Sequence, residues 1–261
     1  MADDTQGAAT DGGERRVAAW LEALESRHLA SMSFPELRRA LTALSALYVE
    51  RRGVRLERGD ALGSAGKRAA FAFFYAALHF ESVRTAVRGL GAACPAPAAI
   101  VDLGCGTGVA SAAWAIECGR AGRIEGIDRN GWALTEARWN WSRLGLSGKT
   151  RRGDVASARW ECDRPAIVLA YAANELDEPT RARLLERLLA AAKEGTRLLM
   201  VEPLARRAVP WWESWAERIR RAGGREDLWR FSWRTTPTLA LLDRAAGLDH
   251  RQTGARSLWL G

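Results

Sequence analysis

Residues 100–115 read IVDLGCGTGVASAAWA, an apolar run closed by Asp102, then glycines at 104, 106 and 108, then a second apolar stretch. The first run has the length of a buried strand, and the stretch after Gly108 has the alanine content of a helix, so the glycines mark a strand-to-helix turn. Glycine suits such a turn when a ligand passes close over the backbone, because a Cβ would stand in its way. Three ligands compete for it. A phosphate-gripping loop needs GxxxxGK followed by Ser or Thr, and no lysine lies between Lys67 and Lys149. A dinucleotide turn needs GxGxxG, and the third glycine position here is Val109. The pattern that fits is an acid followed by GxGxG.

Outward from this turn the chain alternates. Strand-like runs AIVDLG, RIEGID, TRRGDV, AIVLAYA and RLLMVE are separated by helix-like VASAAWAIECG, GWALTEARWNWSRLG and TRARLLERLLAAAKEG. Strands alternating with helices build right-handed crossovers and a parallel sheet covered on both faces. Beyond Pro203 come a tryptophan-rich helix (VPWWESWAERIRRAGG), a strand (DLWRFSW), a helix (TPTLALLDRAAG) and a last strand (ARSLWLG). The expected fold is α/β, a doubly wound and mostly parallel seven-stranded sheet over residues 94–261. Residues 15–93 are expected to form a helical annex: helical spacing from Arg15 to about Glu50, a capping box at Ser33 and Glu36, a turn-rich stretch, and a buried helix from Ala69 to Leu90. Residues 1–14 are acidic and glycine-rich and are expected to be a disordered tail.

Two further acids follow the glycine turn. Asp128 closes RIEGID twenty residues after Gly108, where a strand-end carboxylate can accept from both hydroxyls of a ribose. Asp154, in RRGDVAS, is placed to accept from an exocyclic amine such as that of adenine. Two carboxylates at successive strand ends suit a nucleoside with no phosphate to repel them.

This set, VDLGCGTG, GID, GDV and AIVLAYA over Ile100 to Glu202, resembles the class I S-adenosylmethionine-dependent methyltransferases. The resemblance implies a Rossmann-like methyltransferase fold and S-adenosyl-L-methionine as cofactor. It implies that Gly104, Gly106 and Gly108 line the methionine and ribose part, with Asp102 near the amino group. Asp128, with Arg129 beside it, would hold the ribose, and Asp154 with Val155 would frame the adenine. A narrower likeness is carried by GKRAAFAFFYAALHFESVRTAVRGL and by YAANELDEPTRARLLERLL with RLLMVEP, which are similar to the ribosomal small-subunit methyltransferase-like family of ribosome assembly factors. That likeness implies rRNA or the ribosomal small subunit as partner. The chain departs from it after Pro203, where many members carry a cysteine cluster and this sequence reads LARRAVPWWESW.

Methyl transfer from a sulfonium is an in-line displacement, so positioning of the acceptor matters more than acid–base help. The segment Ala172 to Asp177, after the fourth strand, is where acceptor contacts are expected. It reads AANELD rather than the (Asp/Asn)PP(Tyr/Phe) of base amino-group methyltransferases. Asn174 could orient an acceptor; Glu175 could take a proton or simply open the next helix. Tyr171, at the end of that strand, is expected at the cofactor pocket. Tyr75 and His79 lie one turn apart and share a face, fit for stacking on an acceptor, for base work, or for plain core packing. His28 and His250 have no companions and are assigned no role. Of the twelve tryptophans, Trp132 and Trp139 read as a buried helix stripe, while Trp211, Trp212 and Trp215 beside Arg206 and Arg207 could stack on unpaired bases.

The net charge of +8 is carried almost wholly by arginine, since Lys67, Lys149 and Lys193 are the only lysines. Arginine suits an RNA partner, and a GC-rich genome would write the same surplus. Cys94, Cys105, Cys118 and Cys162 have no metal-ligand spacing, so no metal site is expected. No stretch has the length of a membrane span and the N-terminus has no signal-like run, so a cytoplasmic protein is expected. The function expected is an S-adenosylmethionine-dependent methyltransferase of RNA or a ribosome-linked acceptor. A small-molecule or peptide methyltransferase and a non-catalytic, cofactor-binding assembly factor stand beside it, and a dinucleotide oxidoreductase ranks last because of Val109.

Overall fold

The alternation read after residue 98 forms a seven-stranded sheet in the computed structural model, which describes residues 3–50, 62–119, 122–233 and 235–261. The strands are β1 (Ala99–Leu103), β2 (Arg123–Asp128), β3 (Gly148–Arg152), β4 (Ala166–Ala170), β5 (Arg197–Pro203), β6 (Arg225–Phe231) and β7 (Thr253–Leu260). Their order across the sheet is β3-β2-β1-β4-β5-β7-β6. The first five run parallel, and β7 lies antiparallel between β5 and β6. Winding goes outward from β1 to β3, then returns to β4 on the other side of β1. The crevice at this reversal is where such sheets take ligands.

Both faces of β1, β4 and β5 are covered, which is why they read as unbroken apolar runs, whereas β3 at the edge is polar. Ile100, Ile124, Val168 and Val201 face one core, with Val101, Ile127, Ile167 and Met200 facing the other. The annex supplies part of the first core. Helices α1 (Asp3–Leu29) and α2 (Phe34–Glu50) bury Trp20, Leu24, Leu37, Leu41 and Leu44 in the same cluster as Phe73, Phe80 and Val83 of the long helical run ahead of β1. That run is α3 (Ala65–Ala70), a wide π turn at Phe71–Tyr75, and α4 (Ala76–Leu90). At Ser33, ahead of α2, the Glu36 carboxylate accepts from both the backbone N–H (2.9 Å) and the hydroxyl (2.6 Å), half of the expected capping box. Residues 51–61 of the expected turn-rich stretch lie outside the described residues.

The remaining helices are α5 (Val109–Glu117), α6 (Gly131–Arg143), α7 (Glu178–Lys193), α8 (Trp212–Arg221) and α9 (Pro237–Ala245). Two expectations are corrected here. Residues 3–14, read as an unordered tail, belong to α1; Glu14 accepts from Arg84 (2.5 Å) and Arg88 (2.8 Å) of α4, and Arg84 also donates to Glu117 of α5 at 2.6 Å. An acid in a low-complexity stretch gains order from partners 70 residues away, which local composition cannot report. On α6 the buried stripe is Ala133, Leu134, Ala137 and Trp141, while Trp132 and Trp139 are half-buried beneath the guanidinium groups of Arg68 and Arg27. Among the described residues no helix is long and apolar enough to cross a membrane.

Candidate active site

The three glycines of the opening turn all have positive φ, at +69, +51 and +74° for Gly104, Gly106 and Gly108, so each needs the freedom only glycine has. They do different work. The N–H groups of Gly104 and Cys105 donate to the Ile127 carbonyl (2.8 and 3.1 Å), tying the turn to β2. Gly106 donates to the Asp128 carboxylate at 2.8 Å, and a Cβ built on it would meet nothing nearer than the Phe71 ring at 4.0 Å. That open space belongs to the cavity both residues line. A Cβ on Gly108 would lie 2.8 Å from Ala137 and from the Trp141 indole, whose Nε1 donates to the Gly108 carbonyl at 2.7 Å. Gly108 is not in the cavity wall, so its expected place along the methionine and ribose is corrected: it is glycine because a helix packs on it.

The cavity, about 640 Å³, opens at the carboxyl ends of β1, β2, β4 and β5. That volume suits a cofactor with a small acceptor beside it. Asp102 is buried, accepts from the Ser111 N–H at 3.0 Å, and is pushed up to about 6 by burial. Asp128 is buried as well, its two oxygens accepting from Asn130 (2.9 Å) and Gly106. Each carboxylate oxygen has two lone pairs, so these bonds orient the group and leave capacity for a ribose hydroxyl. Asn130 in turn caps α6, bonded by the N–H groups of Trp132 and Ala133. The glycine space, the two acids and the volume fit an adenosyl group with a positively charged sulfur.

Asp154, Val155 and Arg129 are placed elsewhere, and none of them lines the cavity. Strand β3 ends at Arg152, and the Asp154 carboxylate beyond it caps the short turn Val155–Ser157 and pairs with Arg129. Val155 is buried in the core on the far side of the sheet. The cavity wall thus lacks Asp154 and Val155, expected to frame the adenine, and Arg129, expected beside the ribose.

At the other end of the cavity the structure gathers residues from four elements. Tyr171, held at φ +55° as β4 ends, stacks on His79 with ring centroids 3.7 Å apart and planes 10° apart. Its hydroxyl bonds Ser82, and burial raises its pKa. Burial pushes His79 down to about 3, so the ring is neutral near pH 7 and too weak a base for proton abstraction. Of the roles weighed for Tyr75 and His79, packing is the one the geometry favours, with His79 set against Tyr171 in the cavity wall. Tyr75 also shares a hydrogen bond of 2.9 Å with Ser45. Asn174 accepts from the Trp211 indole N–H at 2.7 Å and donates to Glu202 at 3.4 Å. Glu175, on the short turn Ala173–Glu175, lines the cavity beside them. Trp212 and Trp215 are core residues, which leaves Trp211 alone of that cluster at the site.

Glu202 and His250 are among the lining residues that escaped the sequence reading. Glu202, at the end of β5, is 1% exposed and pushed up to about 8 by burial; its Oε1 has no hydrogen-bond partner among the described residues. The signal for it was present, since VEP closes an apolar run with an acid as VDL and GID do. His250 also lines the cavity, with Nδ1 2.6 Å from Asp243 Oδ1 and its backbone N–H donating to Oδ2 at 2.9 Å. No local pattern announces that pairing.

Residues 100–195 match the family model of a methyltransferase domain. No curated protein matches the chain. Among solved structures, the mitomycin 7-O-methyltransferase MmcR is similar at 16% identity, over 92% of this chain and 71% of that one, with a TM-score of 0.51. The plantazolicin methyltransferase BpumL, solved in complex with SAH, is similar at 13% identity over 84% and 98%, with a TM-score of 0.50. A TehB-like SAM-dependent methyltransferase from Corynebacterium glutamicum is similar at 16% identity over 66% and 85%, with a TM-score of 0.43. At these identities the first two speak to the fold alone, and they agree with the Rossmann-like methyltransferase sheet described above. Nothing in these matches supports the narrower ribosomal likeness. The matched span opens on β1 and takes in the turn that presents Gly106 to Asp128, and residues 100–195 thus form a methyltransferase domain with S-adenosylmethionine as its cofactor.

Proposed function

We propose that the chain methylates a small molecule that enters the cavity, rather than RNA. The observation that carries this is the sign of the wall. Asp102, Asp128, Glu175, Asp177 and Glu178 line the cavity against Arg181, in a chain whose net charge is +8. A phosphate backbone approaching that wall is repelled at close range, and the basic surface elsewhere does not offset this within the cavity. The RNA reading also loses two of its three stacking tryptophans to the core.

When bound, S-adenosylmethionine supplies an electrophilic methyl group on a positively charged sulfur. The chain's own residues bind, orient and exclude water. Asp128, fixed by Gly106 and Asn130, is the acceptor for ribose hydroxyls, and Asp102 adds negative charge that favours the sulfonium. The Tyr171–His79 stack forms a dry wall at the end of β4, where neither ring is charged near pH 7.

The test is a methyl-transfer assay with tritiated S-adenosylmethionine against separated metabolite, protein and RNA fractions of a cell extract. Label is expected in the metabolite fraction with the wild type and at background with Asp128→Ala. Label confined to RNA would overturn the proposal.

A further inference from the structure

We infer that the acceptor is an amine, held as its ammonium against Glu202 with its apolar body against Trp211. This deepens the reading above and rests on it. Glu202 closes β5 with 1% of its surface exposed, and only part of its bonding capacity is used. The backbone N–H groups of Ala173 and Asn174 and the Asn174 amide (3.4 Å to Oε2) serve it on one side. Oε1, buried in the cavity wall, has no partner among the described residues. A buried acceptor left without a donor is costly, and native structures rarely keep one without a use.

The neighbouring cation does not answer this need. Arg181 donates to the carbonyls of Leu176 (2.7 Å) and Ala173 (3.3 Å), and its guanidinium lies 5.3 Å from the centre of the Trp211 ring. It makes no ion pair with Glu202. Glu175, Asp177 and Glu178 line the same cavity and add negative charge to its wall. A carboxylate or phosphate acceptor would be repelled along that path and would offer no hydrogen to Oε1. An ammonium offers both charge and hydrogen. The Trp211 ring, fixed by its bond to Asn174, gives a flat apolar surface beside it.

Transfer then balances as follows. One proton passes from the ammonium to Glu202 Oε1, and the freed nitrogen lone pair forms the N–C bond to the methyl. The breaking C–S bond leaves its electron pair on sulfur, the N-methylammonium departs, and Glu202 returns its proton to water. Glu175 on the short turn, Arg181 on α7, Tyr171 at the end of β4 and Arg256, the register partner of Glu202 on β7, are titratable and charged groups around that carboxyl. Burial and Glu175 disfavour its ionised form, Arg181 favours it, and burial leads, so it accepts a proton readily.

The experiment is titration calorimetry on the full chain saturated with S-adenosylhomocysteine. The probes are phenethylamine, tryptamine and hexylamine, with 2-phenylethanol, tryptophol and hexanol as matched alcohols. The amines are expected to bind at least tenfold tighter than the alcohols. Their affinity should rise by about tenfold or more between pH 6 and pH 8 in the wild type, as Glu202 ionises. In Glu202→Gln the amine preference and its pH slope should vanish while affinity for S-adenosylhomocysteine stays. Trp211→Ala should remove the advantage of aryl over alkyl amines and offers a second test should Glu202→Gln fold poorly. Alcohols binding as well as amines, or none of the probes binding, would overturn the inference and leave the methyltransferase reading standing. Failure of the wild type to bind S-adenosylhomocysteine would sink that reading first.

Discussion

Replacing Gly108 and Gly106 by alanine, one at a time, separates two jobs that one motif combines. At Gly108 the alanine must keep φ +74° and place a Cβ 2.8 Å from Ala137 and the Trp141 indole. Left-handed backbone costs an L-residue about 1–2 kcal/mol. Overpacking against a fixed ring adds about 1–3 kcal/mol. Gly108→Ala should therefore lose about 2–5 kcal/mol, a large share of the 5–15 kcal/mol typical of a domain. Gly106→Ala shares the backbone strain, at φ +51°, but its Cβ meets nothing within 4 Å except the Phe71 ring edge at 4.0 Å. Its folding loss should stay near 1–2 kcal/mol, while the methyl group takes space the cofactor needs and weakens binding tenfold or more, about 1.4 kcal/mol. Urea unfolding followed by tryptophan fluorescence reads the first quantity, and calorimetric titration with S-adenosylhomocysteine reads the second. The reasoning is refuted if Gly106→Ala is the less stable of the two, or if it binds S-adenosylhomocysteine as the wild type does.

Arg84→Leu should destabilise the fold by about 3 kcal/mol in urea, because it leaves Glu117 and Glu14 without the 4%-exposed cation that joins them; a loss under about 1 kcal/mol would mean that Arg88 suffices. The His79 ring should stay neutral through pH 5 in ¹⁵N-edited NMR, since burial holds it at about 3; stability from this group is complete above 6.5 and is lost as pH falls through that window, and a midpoint near 6.5 would contradict the stack. Asp102 works in the opposite sense, its carboxyl raised from 3.8 to about 6, so its contribution is complete below 3.8 and is lost as pH rises through 6. Asp102→Asn should accordingly be more stable than the wild type at pH 8, by up to about 3 kcal/mol, with the difference gone near pH 4 in paired urea curves.

The sheet was legible because its central parallel strands β1, β4 and β5 are apolar runs and glycine and acid punctuate the chain, so the runs ending at Leu103, Asp128, Ala170 and Pro203 could be marked without contacts. Asp102 and Asp128 were legible for the same reason, since an acid closing a buried strand has little to do but meet a ligand or cap a helix. Asp154 shows the limit: two residues past the end of β3 it had the same appearance and serves as a cap paired with Arg129. Gly108 looked like part of the ligand loop because its reason for being glycine, Trp141, lies 33 residues away. Glu14, the Asp243–His250 pair and the free side of Glu202 depend on elements meeting in three dimensions, and no periodicity encodes such meetings.

The place of β7 bears on how the molecule comes into being. It runs antiparallel between β5 and β6, and among the described residues β6 has no other strand beside it. During vectorial synthesis β1 to β5 can pair as they emerge, but β6 has nothing to bond until residues 253–260 have left the ribosome. The exposed margin of β5 waits just as long, so the nascent chain carries an open edge while residues 204–252 are made, and β7 closes it.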